Sequence, residues 1–487
     1  MIKSNILLWV IVSALCFAAC QKEEISTQPG AKLTFSADTI SFDTVFSTIG
    51  TVTKLFTVKN PEKGKVNISG IYLAGRHNSN FRLNINGTPG NESRDVTISG
   101  GDSLFLFVEA TIDPTHQNNP MVIRDSIVFQ VNGNQQHVQL VAFGQDFHLI
   151  NGARLKTQRW VNDKPYLVYN PVLIDPDEIL TVDAGCRVHF HKGSSMFVLG
   201  TLMVNGTVDE PVYFQGDRLE SVYRNVPGQW GAWRDFSDGS QYIYGGIHFA
   251  VGSKNNRIDY AVIKNAHKGI QADSLGASSN PMLAISNTVI ENMSSFCLNA
   301  HGSNIRANNC IFSNSGYYCI ALLYGGDYEF THCTMANYFT FGTRKTPSLI
   351  ISNYAESGGA TYSFDLVRAE FNNCILYGSN ANEVFIDKGG NGLFDYRLTN
   401  CLIKSDIPSY LSQPGFVDCL FNKDPLFAET GRLKYGIGEN SPARNAANAE
   451  ISLLYPYDIL NNTRFLDGSP DIGAVEWAPK PRKILSR

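Results

Sequence analysis

The 487-residue chain has no Asp-Asp pair, no Cys-x-x-Cys pair and no heptad repeat. The absence of paired Cys-x-x-Cys argues against a zinc site. The missing adjacent carboxylates remove one simple source of an acid–base pair for glycoside hydrolysis. The missing heptads exclude a coiled coil. Lys+Arg is 40 and Asp+Glu is 44, so a net charge of -4 leaves no excess of one sign. Without a basic stripe, nucleic acid is not an expected partner. The apolar run at the N-terminus, Ile6 to Ala19, spans 14 residues. That is short for a membrane-spanning helix.

What is present is a phrase that returns: IDYAVIKN, ISNTVIEN, RANNCIFSN, FTHCTMAN, FNNCILYG and RLTNCLIKS. Aligned, they give one column of Ala261, Thr288, Cys310, Cys333, Cys374 and Cys401, with steps of 27, 22, 23, 41 and 27 residues. Two positions on stands a second column, Ile263, Ile290, Phe312, Met335, Leu376 and Ile403. A third reads Asn265, Asn292, Asn314, Asn337, Gly378 and Ser405. A period in the twenties with short strands is the mark of a solenoid. Stacked coils place equivalent residues over one another. The first two columns are therefore expected to point inward, and the Asn column to sit where the strand bends, because Asn tolerates turn geometry. The 41-residue step predicts an insertion over 342–368, and 217–246 interrupts the repeat earlier.

The N-terminus, MIKSNILLWVIVSALCFAACQKEE, has a positive Lys3, the apolar run and small residues before Cys20. This predicts a cleaved export signal over 1–19. Phe17-Ala18-Ala19-Cys20 resembles a bacterial lipobox, with Phe17 where Leu is usual. The resemblance implies that Cys20 is lipidated. Gln21-Lys22-Glu23-Glu24 resembles the lipoprotein export signal of some Gram-negative bacteria. It implies an outer-membrane anchor with the protein facing the cell exterior. The remaining cysteines, Cys186, Cys297, Cys310, Cys319, Cys333, Cys374, Cys401 and Cys419, mostly occupy inward repeat positions. Stacked strands lie about 4.8 Å apart, wider than the roughly 3.8 Å Cβ separation of a disulfide. Free, buried thiols are expected.

After a lipidated tether over 20–30, residues 31–148 alternate apolar and polar positions in about seven strands, divided by Asn60-Pro61, Gly100-Gly101 and Asn132-Gly133. That pattern predicts a β-sandwich. FTVKN at 56–60 and GDSLFLFVEA resemble immunoglobulin-like domains of the cilium-associated type, which act as modules or spacers. Residues 149–427, with Gly185, Gly193, Gly200 and Gly206 ending successive rungs, resemble right-handed parallel β-helix proteins of the pectate-lyase-like fold. Residues 428–478 resemble the terminal segment of such proteins; Asp458, Arg464 and Asp471 are then expected to pair and seal the last open coil, ahead of a polar tail at 479–487. The expected class is all-β, a β-sandwich followed by a right-handed parallel β-helix.

Chemistry is less marked. Polygalacturonase-like enzymes carry an Asp pair and Gly-His-Gly; here His301-Gly302 lacks the leading Gly. Pectate-lyase-like eliminases hold calcium with acidic ligands and use a basic residue. Their motifs are absent, although Asp259, Asp273, His267 and Lys264 could share a coil edge. No catalytic residue and no resident cofactor is therefore nominated, calcium entering only if the protein is a lyase. The excursion at 217–246 offers Trp233, Arg234, Asp235, Tyr242 and Tyr244, aromatic rings for sugar faces beside groups that bond hydroxyls. Trp230 is read as a packing residue, and Tyr317, Tyr318, Tyr324 and Tyr338 as a neighbouring row. The leading expectation is a surface lipoprotein that binds glycan or another extended polymer. The alternatives are a polysaccharide lyase or glycoside hydrolase with an atypical site, and an adhesive protein with a protein partner.

Overall fold

The computed structural model describes residues 24–46, 53–112, 121–231, 233–235, 242–275, 280–430 and 434–479. The chain forms two compact units, 1–146 and 147–487.

The first unit is a β-sandwich. One sheet has five strands, in the order Thr34–Phe35, Lys54–Lys59, Ser103–Ala110, Phe81–Ile85 and Thr88–Pro89. The other has six, led by Thr39–Phe46, Asn134–Gln145, Met121–Val131 and Val66–Leu73. Residues of Ser103–Ala110 are buried at every second position, as one wet and one dry face require. Phe42, Phe56, Phe81 and Phe129 from the two sheets meet in a single core. Asn60 begins a turn at Asn60-Pro61; its buried amide donates to the carbonyls of Gly64 and Ile98.

The second unit is a parallel β-helix, wound right-handed as parallel crossovers are. Its first face has eleven strands, from His148–Asn151 to Leu420–Phe421, each marking one coil. The second and third faces share a 17-stranded sheet, because Phe296–Asn308 and Tyr318–Thr331 run through both. Each coil visits the faces in turn; the third coil does so as Arg187–Phe190, Met196–Val198 and Thr201–Asn205.

The registers establish the inward columns. Ile263 lies over Ile290, then Phe312, Met335, Leu376, Ile403 and Phe421. The column of small residues stands at the start of the same strands or just before them, and Ala261, Thr288, Cys310, Cys333, Cys374 and Cys401 are all buried. The eight described cysteines are free thiols. Seven of the sulfurs, those of Cys186, Cys297, Cys310, Cys333, Cys374, Cys401 and Cys419, donate to backbone carbonyls, as Cys374 does to Phe330 at 3.4 Å, which satisfies the polar sulfur without a disulfide.

The bends use the left-handed region. Asn265, Asn292 and Asn314 have φ of 65°, 57° and 50°. Asn337 is not among the positive-φ residues, and at Gly378 a Cβ would meet Glu383 Oε1 at 2.3 Å. A second left-handed row, hidden in the sequence, precedes the thiol column: Tyr260, Asn287, Asn309, His332, Asn373, Asn400 and Asp418. Asn donates across coils here, Asn309 Nδ2 to Asn287 Oδ1 at 3.1 Å.

Two expectations need correction. The span 342–368 is not one insertion. Leu349–Ser352 is a regular coil strand between an excursion at 338–348 and a hairpin of Tyr354–Ser357 with Ala360–Ser363. The coil needs that strand because its neighbours on the second face otherwise lack a partner. The C-terminal segment, in turn, packs along the outside of the first face. Tyr435, Ile459 and Ala474 cover Ile311 and Ala336, while Ile437, Ala443 and Ile472 cover Ile375 and Leu402. Phe416, Cys419 and Phe421 at the last coil stay half-buried. The first face carries apolar residues outward at those coils, and burying them drives the segment sideways. Arg464 is fully buried, donates to Asn309 Oδ1 at 2.7 Å and has Glu476 as its nearest carboxylate, at 3.7 Å. Asp458 and Asp471 instead accept backbone N–H groups, from Asn462 and Glu476 and from Asn445 and Trp477.

Candidate functional site

Outward positions on the second face also stack. Phe197 lies beside His248, then Gln271, Asn299, Ala321, Ile350 and Phe385. A parallel row runs Lys268, Phe296, Tyr318. Asp273 and His301 follow at the far edge. Because outward side chains point away from the core, nothing but function or mutual bonding dictates their type.

These side chains form one polar network around Asp273. His248 Nε2 donates to Asp273 Oδ2 at 2.7 Å, and His301 Nδ1 approaches Oδ1 at 3.1 Å. Gln271 Nε2 also donates to Asp273 Oδ1. Burial alone would raise the Asp273 carboxyl, but the hydrogen bonds from His248, His301 and Gln271 outweigh it and hold it well below the usual carboxylate range. Asn299 Nδ2 lies 2.7 Å from Gln271 Oε1 and 3.1 Å from His301 Nε2. That geometry assigns His301 the tautomer with its proton on Nδ1 and a lone pair on Nε2. Lys268 Nζ donates to Gln271 Oε1 at 3.1 Å; burial lowers its ammonium pKa. The His301 and Asp273 side chains are 31% and 29% exposed, so the network faces solvent, while that of His248 at 7% anchors it from below.

Aromatic rings flank the network. Phe296 stacks on Tyr318 with centroids 6.0 Å apart, and Tyr317 stands edge-on to Tyr318. Lys268 Nζ lies 5.7 Å from the Phe296 centroid. On the other side, Tyr324 contacts His301 and Phe364, with centroids at 5.0 and 5.6 Å. Tyr317 is half-exposed. The partly exposed Asp273 carboxylate and His301 imidazole, held from beneath by the buried Gln271 and Asn299 amides, can bond hydroxyls, and the flanking rings can stack on apolar ring faces.

The sequence candidates fall in several places. Trp233–Asp235 and Tyr242–Tyr244 form an antiparallel hairpin with Trp233 opposite Tyr244, Arg234 opposite Ile243 and Asp235 opposite Tyr242. The side chains of Trp233, Arg234, Asp235, Tyr242 and Tyr244 lie outside the described residues, as does Cys20. The hairpin leads directly into the second-face strand Ile247–Phe249. Trp230 packs: it is fully buried, stacks on Phe190 at 4.1 Å and donates from Nε1 to the Lys264 carbonyl. Tyr338 stacks on Tyr435 of the C-terminal segment, away from Tyr317, Tyr318 and Tyr324.

The proposed edge of Asp259, Asp273, His267 and Lys264 does not exist. Asp259 is on the third face, with Arg257 and Asn287. His267 bonds Ser294 at a bend. Lys264 is on the first face across from Glu291. Consecutive coil faces diverge, so nearness in sequence does not bring these groups together. Gln271, His248 and Asn299 were not visible as candidates; their outward register at coil spacing was the available signal. Among the described residues, no group of three His, Cys, Asp or Glu is arranged to hold a metal ion.

A family model described as "Right handed beta helix region" matches residues 172–335. No curated protein matches the chain. Among solved structures, a family 123 glycoside hydrolase from Clostridium perfringens aligns at 8% identity over 23% of this chain and 25% of its own, with a TM-score of 0.17. The chain thus spans about a quarter of that relative's length. The Agl-KA catalytic domain aligns at 11% identity over 78% and 89% of the two chains, with a TM-score of 0.25. The catalytic unit of a GH87 alpha-1,3-glucanase from Streptomyces thermodiastaticus aligns at 8% over 76% and 68%, with a TM-score of 0.16. From its second coil into its eighth, this chain is similar to the right-handed β-helix region family.

Proposed function

We propose that the second face of the β-helix binds an extended glycan. The observation that carries this reading is a patch three coils deep on the second face, Lys268 and Gln271 on one coil, Phe296, Asn299 and His301 on the next, and Tyr318 and Tyr324 on the third. Coils repeat about every 4.8 Å, so three coils present polar groups beside aromatic rings over about 10 Å of a linear polymer. The β-sandwich acts as a spacer. Cys20 carries the lipid that holds the protein on the outer membrane, facing outward; two or more acyl chains anchor firmly.

The test uses the soluble chain lacking its signal and Cys20, on a glycan array, with titration of any hit. Tyr324→Ala and Asn299→Ala are expected to weaken binding at least tenfold, about 1.4 kcal/mol, without changing the melting temperature by more than a few degrees. Unchanged affinity in both variants rejects the second face as the site. Replacing Cys20 by Ser in the full chain is expected to release it from the membrane fraction.

A second reading has one specific support. His301 is oriented by Asp273 and partly exposed, and its Nε2 lone pair becomes available as a general base when the Asn299 amide turns from it to bound glycan. A lyase or hydrolase then generates unsaturated products or new reducing ends from the bound glycan, and His301→Ala abolishes them. Binding without product retains the binding reading alone. No glycan hit and no product leaves an adhesive surface with a protein partner.

A further inference from the structure

Charge is placed unevenly across the second face. Lys268 opens the strand Lys268–Ala272 and Asp273 follows its last residue, so the two stand at opposite edges. Lys268 is already engaged: Nζ donates to Gln271 Oε1 and lies over the Phe296 ring. Lys345, exposed, borders the same edge as Lys268, since its neighbour Thr346 donates from Oγ1 to the carbonyl of Tyr317. The other edge is acidic. There the Asp273 side chain is 29% exposed, and His301, neutral in the tautomer with a lone pair on Nε2, adds no positive charge. The adjoining segments outside the described residues add no net positive charge either. Gly276, Ala277, Ser278 and Ser279 follow Leu275, and the excursion before Ile247–Phe249 brings Arg234 together with Asp235 and Asp238.

Asp273 therefore decides what a sugar beside it can carry. His248, His301 and Gln271 occupy three of its acceptor positions. A carboxylate has about four, which leaves room for a further donor. An ionised carboxylate only accepts hydrogen bonds, so a ligand group at this edge has to donate. A sugar hydroxyl does so. A sugar carboxylate sets acceptor against acceptor and like charge against like charge. At about 4 Å and partial exposure that opposition weakens binding by about tenfold.

We infer that the sugar unit seated against Asp273 and His301 is uncharged, so that the second face takes a neutral, hydroxyl-rich polysaccharide and turns away polyuronates. The inference rests on the glycan reading of this face and names the class of glycan.

Matched pairs test it on the soluble chain: polygalacturonate, polymannuronate and polyglucuronate, each beside the same polymer with its carboxylates reduced to primary alcohols. Reduction keeps ring and linkage and removes the charge. Titration calorimetry at low salt is expected to show at least one reduced polymer binding, with its parent uronate at least tenfold weaker. Salt screens repulsion, so higher ionic strength is expected to narrow that gap by tightening the uronate. Asp273→Asn keeps the side-chain shape and is expected to narrow the gap at low salt; a thermal melt verifies its folding, and the salt series on the parent chain decides if it does not fold. A uronate bound as tightly as its reduced form, a gap unmoved by salt, or a gap unchanged in folded Asp273→Asn overturns the inference while the glycan reading stands. Should none of the six polymers bind, the glycan-array hit decides. An acidic hit overturns the inference; a neutral hit is expected to lose at least tenfold in affinity once its primary hydroxyls are oxidised to carboxylates, and equal affinity overturns it. No hit at all rejects the glycan reading and this inference with it.

Discussion

Asn314 shows how much one side chain does in this fold. It turns the backbone at φ 50°, and its Oδ1 holds Tyr435 of the C-terminal segment and the Tyr338 N–H of the next coil. Leu can do neither. A non-Gly residue forced into the left-handed region costs about 1–2 kcal/mol, and each lost hydrogen bond adds about 1 kcal/mol. Asn314→Leu is therefore expected to destabilise by about 3 kcal/mol, and Asn314→Gly by less. Chemical denaturation measures both; equal losses would refute the conformational part. Glu291 makes a pH prediction. Burial pushes its carboxyl up to about 6, with Lys264 opposing. A raised carboxyl favours the folded state only in its protonated form. That contribution is fully present below the unfolded value of 4.5 and is lost as pH rises through about 6. Glu291→Gln should leave stability at pH 4 unchanged and raise it at pH 8 by up to about 2 kcal/mol. Equal shifts at both pH values contradict this. Asp273 has the opposite sign: its lowered carboxyl contributes stability above the unfolded value of 3.8, lost as pH falls through the folded one.

At the scale of elements, the excursions are fastened individually. Arg344, in the loop after Thr334–Asn337, forms a bidentate pair with Glu383, Nη1 to Oε2 at 2.8 Å and Nη2 to Oε1 at 2.6 Å. Both are buried, and Ser348 Oγ and the Asn380 N–H complete the carboxylate shell. This pair occupies the space above Gly378, which explains why the Asn column breaks to glycine there. Breaking a buried pair from one side leaves an uncompensated charge and costs about 3–5 kcal/mol. Arg344→Met is expected to fall in that range, and Arg344→Met with Glu383→Leu to recover part of the loss. A double variant no better than the single one would show that the pair is not coupled. The C-terminal segment is fastened differently: its Arg464 donates to Asn309 of the bend row, while Glu476 lies 3.7 Å away with its carboxyl held by burial well above the ordinary value.

Across the whole molecule, the thiol column makes a direct prediction. In the native, unreduced soluble chain lacking Cys20, a thiol reagent should label almost nothing, because seven of the eight cysteines are buried and Cys419 is only partly reached. After unfolding without reductant, all eight should react. Fewer than eight would mean disulfides, and a column spaced unlike stacked strands.

The β-helix was legible in the chain because its interior admits only small or apolar side chains, and every coil repeats that demand. Ala261 through Cys401 and Ile263 through Ile403 therefore align in the sequence as they do in space. Excursions lengthen a step without altering the column. The outward side chains obey no such demand. His248, Asp273 and His301 become one network only because three coils set them side by side on one face. Asp259 and Lys264, closer to each other in sequence, are parted by the turn between faces. The course of the C-terminal segment was likewise decided in three dimensions, by the apolar residues that the first face leaves on its outer side. Packing against a repeating core writes itself into the sequence; pairing across coils on an open surface does not.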